Sequence, residues 1–171
     1  DKAQDKGTVL STARMLKSLC GERDALFVMN DDADVAMSSG ADGLHVGQTD
    51  LPVPDARRIL DPRQLIGLSN STVEEAIDSQ SQGADYLAVR VAYSTQTMSK
   101  TGRSATGTET ITKVKDLVSQ PVVATGRINA GNIRDVVRAG ADCACVDSAV
   151  TLAEDPERAT EELFEAMSDS R

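Results

Sequence analysis

The sequence predicts a parallel α/β fold in which short buried strands alternate with helices. Three observations carry that expectation. The phrase Gly-Ala-Asp occurs three times, at Gly40-Ala41-Asp42, Gly83-Ala84-Asp85 and Gly140-Ala141-Asp142. Each copy follows a helix-like segment (Val35 to Ser39, Val73 to Gln82, Ile133 to Ala139) and precedes an apolar run (Gly43 to Val46, Tyr86 to Val89, Cys143 to Val146). Glycine just past a helix accepts the left-handed backbone of a C-terminal cap at no Cβ cost, and a short turn then feeds the next strand. Three further runs, Ala25 to Asn30, Leu65 to Ser69 and Pro121 to Thr125, are short and apolar, as strands covered on both faces should be.

In chain order, Thr8 to Cys20 reads as the first helix, with Val9, Ala13, Leu16 and Leu19 or Cys20 on one face. The strand Ala25 to Asn30 follows, then the helix ending at Ser39 and the strand Gly43 to Val46. Pro54 to Leu60 is a shorter helix before the strand Leu65 to Ser69. Ser71 to Ser81 opens with a capping signal, Ser71 followed by Glu74. After the strand Tyr86 to Val89 comes a long polar stretch, Ser94 to Thr110, and a helix, Thr110 to Val118. The strand Pro121 to Thr125, the helix Asn132 to Ala139 and the strand Cys143 to Val146 complete the alternation. Asp155-Pro156 starts a last helix running to about Met167, with proline at an early helical position. An open doubly wound sheet could hold these six strands, whereas a (β/α)8 barrel needs eight, and periodicity leaves both open.

The chain has 171 residues, one domain's worth over 1–171. With 18 Lys plus Arg against 27 Asp plus Glu its net charge is −9, which argues against nucleic acid as a partner. Aromatics are 2% and Trp is absent, so the core must be aliphatic. No apolar run approaches the roughly 20 residues of a membrane span, and no signal peptide is visible, so the expected location is cytoplasmic. Three cysteines cannot build a disulfide framework, and Cys143 and Cys145 read as buried reduced thiols. A thiol-based activity is not expected, since His45 is the only histidine and is remote in sequence.

Ligands of parallel α/β folds gather at the carboxyl ends of the strands. The residues following the six strands are Asn30-Asp31-Asp32, His45 to Asp50, Ser69-Asn70-Ser71, the stretch with Thr95, Thr97, Lys100, Gly102 and Arg103, Gly126-Arg127-Ile128-Asn129, and Asp147-Ser148-Ala149. Asp31 and Asp50, near neighbouring strand ends, could hold Mg²⁺, which takes oxygen ligands and often shares its shell with substrate phosphates. Gly126 and the backbone around Ser148 could donate N–H groups to a phosphate. Each has a structural alternative: Asp31 as a helix N-cap, Asp50 in the turn before Leu51-Pro52, His45 as a structural histidine, and Asn129 and Asn132 as turn and cap residues.

Taken together, the strand-end phrases resemble the thiamine-phosphate synthase family. Asn30-Asp31 is similar to that family's Asn-Asp phrase. Gly43-Leu44-His45-Val46-Gly47-Gln48-Thr49-Asp50-Leu51 is similar to its Gly-Val-His-Leu-Gly-Gln-x-Asp-Leu phrase, the most specific match. Ile66-Gly67-Leu68-Ser69, Gly83-Ala84-Asp85-Tyr86, Thr95-Gln96-Thr97 and Pro121 to Ile128 resemble its further motifs in order, from about residue 2 to residue 160. The resemblance implies a (β/α)8 barrel. It implies Mg²⁺-dependent coupling of hydroxymethylpyrimidine diphosphate to thiazole phosphate, with pyrophosphate released and thiamine phosphate formed. Catalysis would be electrostatic and positional, with no covalent nucleophile. Carried over, Asp31 and Asp50 bind Mg²⁺, Lys2, Asn30, His45 and Ser69 meet the pyrimidine diphosphate, and Thr95, Thr97, Gly126 and Ser148 meet the thiazole phosphate.

Several positions depart from the family pattern. Asp32 stands where a basic residue is frequent, Arg90-Val91 replaces Gly-Pro, Met98 stands in place of the phosphate-loop Lys with Lys100 two residues late, Arg127 replaces a glycine, and Asp147 replaces an apolar residue. Arg127 or Arg103 could supply the missing cation. These departures leave open a degenerate barrel that binds phosphates without coupling them. A sister group, the thiazole tautomerases, resembles the chain less: it carries a histidine soon after the fifth strand, where Asn70-Ser71 stand here. Asp1-Lys2 resembles the end of a phrase on the family's second strand. That register leaves about six βα units, with the first strand and most of the second missing, as in a fragment or shortened product. An unclosed barrel exposes two sheet edges, so the expectation is that this chain alone is unstable or a homo-oligomer. Calorimetry with light scattering checks this; a sharp, cooperative, monomeric melt overturns it.

Overall fold

The structure, a computed structural model, describes residues 4–91 and 107–168. Its elements are α1 (Lys6–Gly21), β1 (Val28–Asn30), α2 (Ala33–Ser39), β2 (Gly43–Val46), α3 (Val53–Ile59), β3 (Leu65–Asn70), α4 (Val73–Ser81), β4 (Tyr86–Arg90), α5 (Thr108–Leu117), β5 (Val122–Thr125), α6 (Ile133–Arg138), β6 (Cys143–Cys145), α7 (Ser148–Thr151) and α8 (Pro156–Ser168). The strand order in the sheet is the chain order, β1 to β6. The six expected strands are all present.

The chain forms two compact units, Asp1–Ser69 with Ser81–Tyr86 and Asn70–Gln80 with Leu87–Arg171. In the first, β1 pairs with β2 and β2 with β3, all parallel, with His45 opposite Asn30 on one side and Gly67 on the other. Leu44, Val46 and Ile66 are fully buried there. In the second, β5 pairs in parallel with β4 and β6. Leu87, Val89, Val122, Ala124, Ile111, Val114 and Val136 are fully buried in it. Both cores are aliphatic, as the composition requires.

The Gly-Ala-Asp repeat does more than end helices. Gly40 (φ 69°), Gly83 (φ 87°) and Gly140 (φ 97°) take the expected left-handed conformation. The aspartate that follows ties its strand to an earlier one. The Asp42 N–H donates to the Phe27 carbonyl at 2.8 Å, and its carboxylate accepts the Phe27 N–H at 2.8 Å. Asp85 exchanges the same two bonds with Ile66 (2.8 and 2.7 Å), and Asp142 with Val122 (2.9 and 2.7 Å). A cation from an earlier helix completes each clamp: Lys17 of α1 on Asp42 (2.6 Å), Arg57 of α3 on Asp85 (2.6 Å) and Lys115 of α5 on Asp142 (2.7 Å). The Lys17 ammonium and the Phe27 N–H hold the Asp42 carboxyl below its ordinary value. Burial pushes Asp142 up, but Lys115 and the Val122 N–H outweigh it and the net direction is down.

Four expectations need correction. The capping pair of α4 lies one residue later than Ser71 and Glu74: Thr72 Oγ1 accepts the Glu75 N–H at 3.2 Å, and the Glu75 carboxylate accepts the N–H groups of Ser71 and Thr72. The first strand begins at Val28, not Ala25, because Ala25 still bonds back to the Cys20 carbonyl at the end of α1. Cys143 and Cys145 are exposed thiols, not buried ones. They sit two apart on β6 and therefore share one face of that strand, which their exposure shows to be uncovered among the described residues. Finally, a short helix, α7, follows β6 where no helix was expected.

The Asp42 clamp predicts acid sensitivity of definite sign. A carboxyl whose folded value lies below the unfolded one stabilises fully above the unfolded value, near 3.9, and that contribution is lost as pH falls through the folded value. Asp42→Asn should lower stability by about 1–3 kcal/mol near neutrality and flatten the loss below about pH 4. Urea titrations of wild type and variant between pH 3 and 7 check this; parallel curves would remove Asp42 from the account.

Candidate active site

The carboxyl ends of β1, β2 and β3 bring five of the expected residues together within the first unit. Asn30 ends β1 and is exposed. Asp31 follows it in a left-handed backbone, φ 64°, with its N–H on the His45 carbonyl at 2.9 Å. It is therefore not the cap of α2; that position belongs to Asp32, whose carboxylate lies 3.3 Å from the Lys6 ammonium. Aspartate tolerates the left-handed region better than most residues, at a cost of about 1–2 kcal/mol. Such strain fixes where the side chain points.

The turn after β2 is built by Asp50, whose Oδ2 accepts the Gly47 N–H at 2.7 Å. Gln48 reaches across to β3, its Nε2 donating to the Ser69 carbonyl at 2.8 Å. Asp50 thus serves the turn role open to it, and the same bond orients its carboxylate. Asp31 follows β1 and Asp50 closes the turn after β2, the strand that carries His45. Half-buried His45 has its pKa lowered: burial disfavours the charged ring, and the two carboxylates only partly oppose this. Burial therefore favours the neutral imidazole.

That ring bridges two side chains. Nδ1 lies 3.0 Å from the Tyr86 hydroxyl and Nε2 lies 2.8 Å from Ser69 Oγ. The Tyr86 ring stacks near His45, centroids 5.6 Å apart and planes 22° from parallel. It lies directly over Gly67, where any Cβ would overlap the ring. Tyr86 is a site residue that sequence reasoning missed. The signal was the pair Gly67 and Tyr86, but nothing in the sequence brings residues so far apart together.

Among the described residues no group of three or more His, Cys, Asp and Glu could hold a metal. Two carboxylates suit a hard cation that takes the rest of its shell from substrate phosphate and water, as Mg²⁺ does. The donor set at Asp31 and Asp50 fits that ion and no protein-only cage.

The second unit holds the residues that the resemblance assigns to the thiazole phosphate. Gly126 ends β5 with φ 109°, and a Cβ there would lie 2.9 Å from the Val91 carbonyl, so only glycine fits. Arg127 is left-handed too, φ 49°, in a position suited to the glycine it replaces. Asn129 and Asn132 are turn residues, as expected: Asn129 Oδ1 accepts the Gly131 N–H and Asn132 Oδ1 accepts the Asn129 N–H, both at 2.9 Å. Ser148 starts α7, and the Asp147 carboxylate before it accepts the Thr151 hydroxyl at 3.2 Å. Arg90 stands beside Gly126, its Cγ 3.7 Å from the Cβ position there. Read from sequence only as a departure, Arg90 brings a guanidinium stem to this strand end. Lys2, Thr95, Thr97, Met98, Lys100 and Arg103 lie outside the described residues.

Residues 1–150 match the model of the family described as thiamine monophosphate synthase. A thiamine-phosphate synthase of Shouchella clausii is 39% identical over 99% of this chain and 81% of its own length. One from Thermosynechococcus vestitus is 39% identical over 98% of this chain, which spans 47% of that protein. A solved structure, thiamine phosphate pyrophosphorylase from Pyrococcus furiosus, superposes with a TM-score of 0.86 at 36% identity, covering 99% of this chain and 81% of that one. The fold is thus the parallel βα-barrel type that the resemblance implied. A 3-hexulose-6-phosphate synthase, 21% identical with a TM-score of 0.71 over 92% of this chain and 80% of that one, shares the fold alone.

Relieving the left-handed arginine predicts a gain. Arg127→Gly should raise stability by up to about 1 kcal/mol, read as a higher urea midpoint at unchanged slope. A lower midpoint would mean that the Arg127 side chain stabilises the loop by more than its backbone strain.

Proposed function

The chain belongs to the thiamine monophosphate synthase family, and on that premise we propose that it couples hydroxymethylpyrimidine diphosphate to a thiazole phosphate, releasing pyrophosphate and forming thiamine phosphate. One observation supports this reading most: Asp31 and Asp50 stand in the turns after β1 and β2, beside the strand whose His45 imidazole contacts the Ser69 hydroxyl. In the proposal Asp31 and Asp50 hold Mg²⁺, whose charge, when bound, supports departure of the diphosphate. Asn30 and Ser69, with Lys2, hold the pyrimidine diphosphate, and His45 backs Ser69. Gly126 and Ser148, with Thr95 and Thr97, take the thiazole phosphate. Arg90, Arg127 and Lys100 are the cations that answer for Met98. No side chain attacks the substrate; the thiazole nitrogen does, and the protein supplies position and preorganised charge. Charged phosphorylated substrates remain in the aqueous compartment where they are made, which supports a cytoplasmic setting.

Two alternatives meet the same residues. Buried Asn70, bonded to Ser79 at 2.6 Å, stands where the tautomerase reading wants an imidazole, which supports the synthase. Asp147 and Met98 favour a binder without turnover, because each moves the charge of a phosphate site the wrong way.

The test is thiamine phosphate formation from both substrates with Mg²⁺, using this chain and Asp50→Asn. Asparagine can still accept the Gly47 N–H, so the turn survives while the charge is lost. Wild type should turn over, and Asp50→Asn should be at least about a hundredfold slower. Equal rates would sink the metal role. Ligand binding measured by calorimetry without any product would favour the binder.

A further inference from the structure

We propose that Tyr86 is a positioning residue: seated on Gly67, it donates its hydroxyl proton to Nδ1 of His45, fixing the Nε2–H tautomer and directing the Ser69 hydroxyl proton toward an anionic substrate oxygen.

A neutral imidazole has one N–H donor and one lone-pair acceptor. His45 contacts a hydroxyl at each nitrogen, Tyr86 at 3.0 Å and Ser69 at 2.8 Å. The two bonds must therefore run in one direction, from Tyr86 through His45 to Ser69 or the reverse. Chemistry favours the first. A phenol is far more acidic than an aliphatic alcohol, so it is the better donor, and an imidazole nitrogen accepts more strongly than a phenolic oxygen. In the reverse direction Ser69 would point its only proton at His45 and offer lone pairs to its ligand. In the forward direction Ser69 accepts from Nε2–H and keeps its proton for an anion, as a charge-assisted bond requires.

The scaffold fixes both ends of this relay. Tyr86 follows the Asp85 clamp, which bonds Ile66 through two hydrogen bonds and so sets the tyrosine against β3. Gly67, immediately after Ile66, leaves the space that the ring fills. Ser69 is held by its carbonyl through Gln48. The anionic oxygen is that of the diphosphate proposed above, and to that extent the inference rests on that reading. The tautomer does not.

His45 is the only histidine, so long-range proton–nitrogen correlation spectra of the ring report one residue in the intact chain. At about pH 8 the ring is neutral and its tautomer is read directly. Wild type should show a protonated Nε2 and a bare Nδ1. Ser69→Ala should keep that pattern, whereas Tyr86→Phe, which retains the ring over Gly67, should lose it. A protonated Nδ1 in wild type, or an unchanged pattern in Tyr86→Phe, overturns the proposal. In turnover, Tyr86→Phe should raise the KM for the diphosphate by about tenfold, with little change in kcat. It should add nothing on top of Ser69→Ala, because it acts through that hydroxyl; additive losses overturn it. If the chain makes no thiamine phosphate, the coupling reading fails while the spectra still decide the relay.

Discussion

The architecture depends on aspartates that bond an earlier strand through backbone and side chain at once. A backbone N–H and a carboxylate oxygen of Asp42 together grip one residue, Phe27, while its carbonyl accepts the Leu65 N–H at 2.9 Å. One residue thus fixes β2 against both its neighbours. Strand side chains alternate with period two, so a slip of one residue would exchange Leu44 or Val46, both fully buried, with His45. The clamp therefore decides which side chains form the core and which reach the site.

Parallel α/β topology separates these two tasks along β2, β4 and β6, with the clamp at the amino end and polar residues at the carboxyl end. Two of the three described non-glycine residues with positive φ, Asp31 and Arg127, lie just past a strand's carboxyl end, and the third, Asp24, lies between α1 and β1. Strain persists only where the surroundings over-determine it. At Asp31 the surroundings include the bond to the His45 carbonyl, which couples the turn after β1 to the strand that carries the imidazole.

Much of this was legible in the sequence, and the failures have physical causes. Helix-capping glycines are local events, so Gly40, Gly83 and Gly140 marked the junctions correctly, and so did Asp155-Pro156 at the start of α8, where Asp155 accepts the Arg158 N–H at 3.0 Å. The bonds made by the aspartates of the same phrase were not legible, because their partners are 15 to 20 residues away in sequence. Ser71 with Glu74 and Thr72 with Glu75 both fit the capping pattern, and the sequence does not choose between them. The cysteines look apolar, but their burial is a property of the sheet edge and not of the residue. Gly67 and Tyr86 were visible only as family motifs; their contact needs the register that the clamp sets.

The cations reveal how the two ends differ electrically. Arg57 is the clamp cation that touches most: it donates to the Gln64 carbonyl (2.8 Å), the Gly83 carbonyl (3.3 Å) and the Asp85 carboxylate (2.6 Å). A guanidinium fork spans three acceptors at fixed angles, which an ammonium cannot. At the amino ends, then, each clamp carboxylate is both oriented and neutralised. Asp50 at the opposite end is treated otherwise. Its carboxylate is oriented by a neutral donor, the Gly47 N–H, and has no ion pair among the described residues. In a chain of net charge −9, leaving that carboxylate unneutralised adds to an already large repulsion. Orientation without neutralisation is what a cation-binding carboxylate needs, because a lysine in its place would cancel the field that attracts the ion. The same aspartate chemistry thus serves stability at one end of the strands, and at the other it leaves a carboxylate carrying the charge that the proposed cation role requires.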